Sequence, residues 1–323
     1  MILIKTEWRD CMKKFVGLLM TVLSVGFLVA CGNGDNATKE SGEGKDSGKP
    51  IVTVTTSFLQ DMVTQLAGDK VELQQIIPAG EDPHLYVAAP NDLEKLTSAD
   101  LVLYHGLHFE GQMVDALENT GTAVAKNFSE SDLTSMDQDG EEIVDPHFWF
   151  DIGLYQQAVD VAADELSKLL DDESILDKAD AYKGELDELD SYISTKVQEI
   201  PEGSRYLITP HDAFNYFAMN YDMEVVAPQG ISTESEASNA DISATVDFIV
   251  ENKVKAIFAE STTDPARMER LREDVEAKGG SVTVVSGHGQ ELFSDSLAPV
   301  GESGDTFIDM YKHNVDLIVE NLK

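Results

Sequence analysis

Cysteine is nearly absent: the 323-residue chain has two, Cys11 and Cys31. If the first thirty residues are removed as a leader, one thiol remains and an internal disulfide is excluded. Basic residues are scarce too, with 23 Lys and Arg against 60 Asp and Glu, a formal charge of −37 and a pI near 4.2. Nucleic-acid binding needs clustered Lys and Arg to neutralise phosphates, so that class is excluded, and cations become the natural partners. Most of the acidity reads as a solvated surface. The sequence also lacks a His-Glu-x-x-His pair, a Walker-type glycine loop and a nucleophile elbow. These absences speak against a metallohydrolase, an ATP-hydrolysing subunit and a serine hydrolase. What is present is 42% apolar residues in a chain long enough for two domains with their own cores.

The N-terminus sets the compartment. "MKKFVGLLMTVLSVGFLVAC" begins at Met12, passes through Lys13 and Lys14, and runs without charge over residues 15–30 to Cys31. A basic pair before a short apolar run is a secretory signal pattern. "LVAC" resembles a bacterial lipobox, which implies cleavage before Cys31 and lipidation of its thiol. The eleven residues before Met12 carry acidic groups and Cys11, so Met12 reads as the start of translation. Residues 1–30 are thus a lipoprotein signal peptide. Residues 31–50, rich in Gly, Ser and charge with no apolar period, form a flexible linker holding a folded body off the membrane.

From residue 51 short β-branched runs alternate with helical periods: "IVTVTTS", "FLQDMVTQLAG", "KVELQQIIP", "PNDLEKLTSAD" with its helix opening at Asn91 or Asp92, then "LVLYHG". The alternation resumes after residue 200 with "RYLITP", "HDAFNYFAMNY", "MEVVAPQ" and "ISATVDFIVENK". Strands of about six residues between helices of about ten to fifteen predict βαβ units and mainly parallel sheets. Two α/β lobes are expected, 51–172 and 201–323. Between them, Ile175, Leu176, Ala179, Tyr182, Leu186, Leu189, Tyr192, Ile193 and Val197 recur largely at spacings of three and four. That period predicts one long helix over 173–200 joining the lobes, with Gly184 the one residue that could break it.

Histidine is also rare, seven in all, yet three follow a proline. "EDPHLYV" places His84 behind Asp82-Pro83, "VDPHFWF" repeats the tripeptide at His147, and "LITPHDAF" sets His211 behind Pro210. Proline's locked φ suits positions where a side chain must be aimed. Each of these histidines follows a strand expected to end at the ligand-binding edge of an open α/β sheet. Asp295 in "ELFSDSLAP", beyond the strand "SVTVVS", supplies a carboxylate from a turn. Two ligands from each lobe would close one site between lobes, and imidazoles with a carboxylate suit divalent first-row metals. With ordinary histidine pKa values near 6.5, such a site should release up to three protons between about pH 7 and 5. His105 and His108 are expected to line the cleft or pack nearby, His313 to lie on the terminal helix, and His288 on a glycine-flanked turn.

The blocks "PAGEDPHLYVAAPNDLEKLTSADLVLYHGLHFEG", "VDPHFWFDI", "YLITPHDAFNYFAMNYDMEV", "GISTESEAS", "AIFAEST" and "ELFSDSL", with "DTFIDMYKHNVDLI" behind them, resemble the metal-binding lipoproteins of bacterial ABC transporters, above all the manganese-binding lipoproteins of Gram-positive bacteria. The resemblance spans residues 51–323. It implies two lobes joined by one helix, a metal between them on His84, His147, His211 and Asp295, and a monomer that is no enzyme and delivers its ion to a membrane permease. It further implies lipid anchorage on the outer face of the cell membrane. "SESDLTSMDQDGEE", residues 129–142, lacks the histidine-rich loop common in zinc-specialised members, which favours Mn²⁺. Many manganese members carry a glutamate at the third ligand position, so His211 keeps Zn²⁺ as the alternative. A surface adhesin or a metallohydrolase is the remaining reading. Four protein ligands leave little room for an activated water, which counts against hydrolysis.

Overall fold

The computed structural model describes residues 48–138 and 141–323. The leader, Cys31 and most of the linker expected from the sequence lie outside the described residues. The first lobe is built on β1 (Ile51–Val54), β2 (Glu72–Gln75), β3 (Leu101–Tyr104) and β4 (Thr122–Ala123), all parallel in the order β2-β1-β3-β4. Helices α1 (Ser57–Ala67), α2 (Pro90–Ser98) and α3 (Val114–Thr120) make the crossovers. Strand order reverses direction at β1, and the crevice beyond the carboxyl ends of β1 and β3 is where such sheets accept ligands.

Helix α2 starts at Pro90, one or two residues earlier than the sequence suggested. Pro90 takes the first helical position, where its missing N–H costs nothing, and the Asp92 carboxylate reaches back to the Ala89 amide at 2.9 Å. A second departure matters more for the site. β5 (Ser135–Gln138) and β6 (Glu141–Val144) pair antiparallel as a separate hairpin. His147 therefore follows a hairpin, not a strand of the parallel sheet.

The chain then runs through α4 (Ile152–Leu170) and α5 (Ser174–Val197). At 1.5 Å per residue the 24 residues of α5 extend roughly 36 Å. Its buried face is Ile175, Ala179, Tyr182, Leu186, Leu189, Ile193 and Val197; of the apolar residues expected there Leu176 turns outward and Tyr192 is half-buried, and Gly184 stays helical on the exposed side. Helix α5 packs on α1 and α4 before it in sequence and, after it, on α6 (Asn215–Tyr221) and the terminal α9 (Phe307–Leu322). It is a member of the core with solvent on one side only.

The second lobe carries β7 (Tyr206–Ile208) parallel to β8 (Glu224–Val226), and β9 (Ala256–Phe258) parallel to β10 (Thr283–Val285), with β7 packed beside β9. Helices α7 (Asn239–Asn252) and α8 (Ala266–Ala277) cover them through Val246, Ile249, Met268, Leu271 and Val275. Helix α9 returns to the first lobe. Its first residue, Phe307, stacks on Tyr155 of α4 at 3.8 Å and donates its amide to the Asp61 carboxylate of α1 at 2.9 Å. One apolar core consequently runs from Val52 to Leu322 through both lobes and α5.

Candidate metal centre

His84, His147, His211 and Asp295 come together between the lobes, their potential ligand atoms all within 4.8 Å of one another. Ring centroids are 5.5 Å apart for His84 and His147, 5.4 Å for His147 and His211, and 6.1 Å for His84 and His211. Asp295 faces two of the rings at once: Oδ1 lies 3.3 Å from His147 Nε2, and Oδ2 lies 3.2 Å from His211 Nε2. All four residues are 2% exposed or less. Nε2 of each histidine and both Asp295 oxygens have no hydrogen-bond partner. Buried polar atoms are almost always paired, so five unpaired ones converging on a point fit a shared cation, and neutral imidazoles with a carboxylate are donors a divalent first-row metal takes.

Each side chain is aimed by its own loop. The Asp145 Oδ1 accepts both the His147 amide at 3.0 Å and His147 Nδ1 at 2.7 Å, so one carboxylate fixes the backbone turn and the ring. His211 Nδ1 meets Glu260 Oε2 at 2.5 Å, just past β9, and Thr209 Oγ1 holds the His211 carbonyl at 2.8 Å. A carboxylate on Nδ1 sets the tautomer that leaves Nε2 free to ligate and raises the basicity of the ring. Glu260 also accepts the Ser294 hydroxyl at 3.2 Å, next to Asp295, and the Trp149 indole N–H donates to the Ser294 carbonyl at 3.0 Å. His84 differs. Asp82 accepts its amide at 2.9 Å, but among the described residues no hydrogen bond reaches its ring, which packs edge-on against Phe109 at 5.1 Å.

The surroundings split the ligands electrostatically. Burial drives the charge off His84 and lowers its pKa to about 3. Burial also opposes a charge on His147, but Asp145 and then Asp295 outweigh it and push that ring up to about 9. Glu260 and Asp295 do the same for His211, raising it well above the ordinary value. Burial alone would raise the Asp295 carboxyl, yet His211 and His147 hold it well below the usual carboxylate range. Two rings that favour a proton beside one that does not, around a carboxyl that favours its ionised form, would couple the binding of a cation to the release of protons.

Sequence reasoning singled out four residues that the structure brings together, but it expected a different setting for three of them. His147 precedes a single 3-10 turn, Phe148–Phe150, before α4; α6 opens at Asn215, four residues after His211; and Asp295 lies ten residues beyond β10. It missed Asp145 and Glu260. The repeated Asp-Pro-His held the first in plain view, but proline was credited with the aiming that the aspartate performs. Glu260 is 49 residues from its histidine and has no local signal. Of the other histidines, His105 is buried beside Trp149, ring centroids 5.1 Å apart, and bonds Thr56 Oγ1 at 2.7 Å. His108 and His288 are exposed, and His313 Nε2 donates to the Glu291 carbonyl at 3.0 Å. None joins the cluster.

Two lobes on a shared helical spine, with three imidazoles and a carboxylate facing one another in the seam, define a solute-binding protein whose solute is a metal ion. Residues 52–321 match the family model described as zinc-uptake complex component A, periplasmic, and the chain belongs to that family of metal-binding solute-binding proteins of ABC transporters, which are not enzymes. It is 38% identical to the zinc-binding protein TroA of Treponema pallidum over 301 residues, covering 92% of this chain and 94% of that protein. With the manganese-binding lipoprotein MntA of Bacillus subtilis it shares 36% identity over 315 residues, 95% and 99% of the two chains. A solved structure from work on the metal-binding specificity of TroA superposes with a TM-score of 0.84 at 63% identity, covering 85% of this chain and all of that one. The solved periplasmic zinc-binding TroA of Treponema pallidum gives 0.80 at 38%, covering 85% and 99%.

Proposed function

We propose that His84, His147, His211 and Asp295 hold the transported ion, that its physiological identity is manganese, and that the loaded protein passes it to the membrane permease of its transporter. The observation that carries the choice of metal is the edge-on stance of Asp295, whose two oxygens each face a different imidazole and have no other partner. Three imidazoles and a two-oxygen carboxylate offer five donor atoms, more than the four-coordinate arrangement usual for zinc in closed sites. Oxygen donors also suit Mn²⁺. The zinc reading draws support from the TroA relatives and from intrinsic affinity, which favours Zn²⁺ over Mn²⁺ at nearly any such site. Availability outside the cell then decides occupancy.

One chain supplies all four ligands, so a monomer suffices. Among the described residues no helix is long and apolar enough to cross a membrane, which suits attachment through a lipid on Cys31. The test is competitive titration of the mature protein with Mn²⁺ and Zn²⁺, together with elemental analysis of protein isolated from its own cells. One equivalent of manganese in the isolated protein is expected; one equivalent of zinc overturns the choice of metal, and no stoichiometric ion overturns the site.

A further inference from the structure

His84 alone among the three histidines lacks a carboxylate on its ring, so something else must fix it. The loop after β3 answers in two contacts. The Phe109 ring stands against the His84 ring at 87° with centroids 5.1 Å apart, and also meets Trp149 at 4.6 Å and His147 at 6.0 Å. Two residues on, Gly111 passes so close to the His84 backbone that a Cβ there would lie 2.2 Å from the His84 carbonyl oxygen. The loop thus touches His84 on both its ring and its main chain.

That loop is costly to hold. Gly106, Leu107, His108 and Gly111 all have positive φ, at 89°, 55°, 63° and 41°. Two of the four are non-glycine residues in the left-handed region, Leu107 a bulky one, and such residues persist only where their surroundings over-determine them. The group that does so is Glu110. It is 1% exposed; its Oε1 accepts the His105 amide at 2.6 Å and the Thr55 hydroxyl, at the end of β1, at 2.8 Å, while Oε2 takes the Gly106 amide at 3.4 Å. Burial raises its carboxyl to about 7, against the pull of those donors. One carboxylate therefore closes the loop on itself and pins it to the strand end that faces the metal centre.

We propose that Glu110 is a positioning residue of the metal centre, acting through Phe109 and Gly111 on His84 in the way that Asp145 and Glu260 act directly on the other two imidazoles. The inference rests on the metal site proposed above. A buried carboxylate that served only to stabilise the lobe would alter melting and leave the ion's surroundings alone.

A double-mutant cycle on metal affinity separates the two. Glu110→Gln keeps the shape but puts an amide N–H₂ among three donors. Competition titration with Mn²⁺ and Zn²⁺ is expected to show a loss of about 10- to 100-fold, the usual effect of removing a residue that orients a ligand. In a His84→Ala background the same change should cost little further, because the residue it positions is gone. Visible absorption of the Co²⁺-loaded Glu110→Gln protein should shift toward that of Co²⁺-loaded His84→Ala. Unchanged affinity in Glu110→Gln overturns the proposal, and so does an equal loss in both backgrounds. If Glu110→Gln does not fold, Phe109→Leu carries the same cycle with the same expectation. A failure of the metal site itself is distinguishable, since wild type would then bind no stoichiometric ion and His84→Ala would change nothing.

Discussion

Asp82 of the first lobe accepts the Thr233 hydroxyl of the second at 2.6 Å with one carboxylate oxygen, while its other oxygen holds the His84 amide at 2.9 Å. A single side chain thereby fastens a ligand loop and bridges the seam. Thr233 is tied in turn to the second lobe's ligand loop, because Gln229 donates to its carbonyl at 3.1 Å and pairs with His211 through the backbone.

Thr233→Val removes the bridging hydroxyl at nearly constant volume and leaves a carboxylate oxygen of Asp82 unpaired. A hydrogen bond to a charged group contributes about 1.5–3 kcal/mol, so a loss near the lower figure is expected at this partly open position. Urea unfolding of the metal-loaded variant measures it. A change under a few tenths of a kcal/mol would mean that the seam is held elsewhere.

The pH response should differ from the three-proton fall between pH 7 and 5 expected from ordinary histidines. His84, lowered to about 3, is already neutral and releases nothing in that window. His147, raised to about 9, and His211, raised well above the ordinary value, each favour a proton at neutral pH that the ion must displace. A raised imidazole contributes stability to the metal-free fold that is complete below about pH 6.5 and is lost as pH rises through the folded value. The ion opposes that term, so log affinity should climb by about two per pH unit around neutrality and flatten as His147 deprotonates near 9. Calorimetry in buffers of different ionisation heat counts the protons directly, and a count of three at pH 7 would refute the asymmetry.

Much of this was legible beforehand, for reasons that differ by element. Helix α5 was readable because its seven core positions repeat at helical spacing and need no partner to be seen. His84, His147 and His211 stood out because a proline precedes each, and Asp295 because it sits in a turn beyond a strand. The hairpin β5–β6 was not, since four polar and mixed residues per strand carry neither clear period, and pairing across a turn is a tertiary fact. Nor was the return of α9 to the first lobe: an amphipathic helix announces that it buries a face, and says nothing of which surface receives it. Glu260 and Glu110 were invisible for a related reason, because an acidic residue in a chain with 60 of them is conspicuous only once its burial is known.

Gly184 tests how much α5 contributes as a spine. It is exposed and helical, and a Cβ added there meets nothing within 4 Å. Gly184→Ala should therefore stabilise the protein by about 0.5–1 kcal/mol, seen as a rise in Tm, with metal affinity unchanged. A fall in Tm would show that the helix needs to bend at that point.

Cys31→Ala tests the anchor. Fractionation of cells making this variant should find the protein folded and metal-binding in the medium, because the lipoprotein reading rests attachment on the Cys31 thiol. Persistence in the membrane fraction after signal cleavage would remove the lipoprotein reading.

The side chains of His84, His147, His211 and Asp295 lie at 2% exposure or less, with Trp149 and Phe109 packed against the His147 ring. With so little of these donors open to solvent, the lifetime of an ion bound among them would be set by how often the seam parts as well as by how strongly the donors bind. Chelators added outside would thus strip it at a rate that stops increasing with their concentration. A carrier of this kind can be a poor competitor in speed yet a faithful one in custody, surrendering its ion where a partner pries the lobes apart.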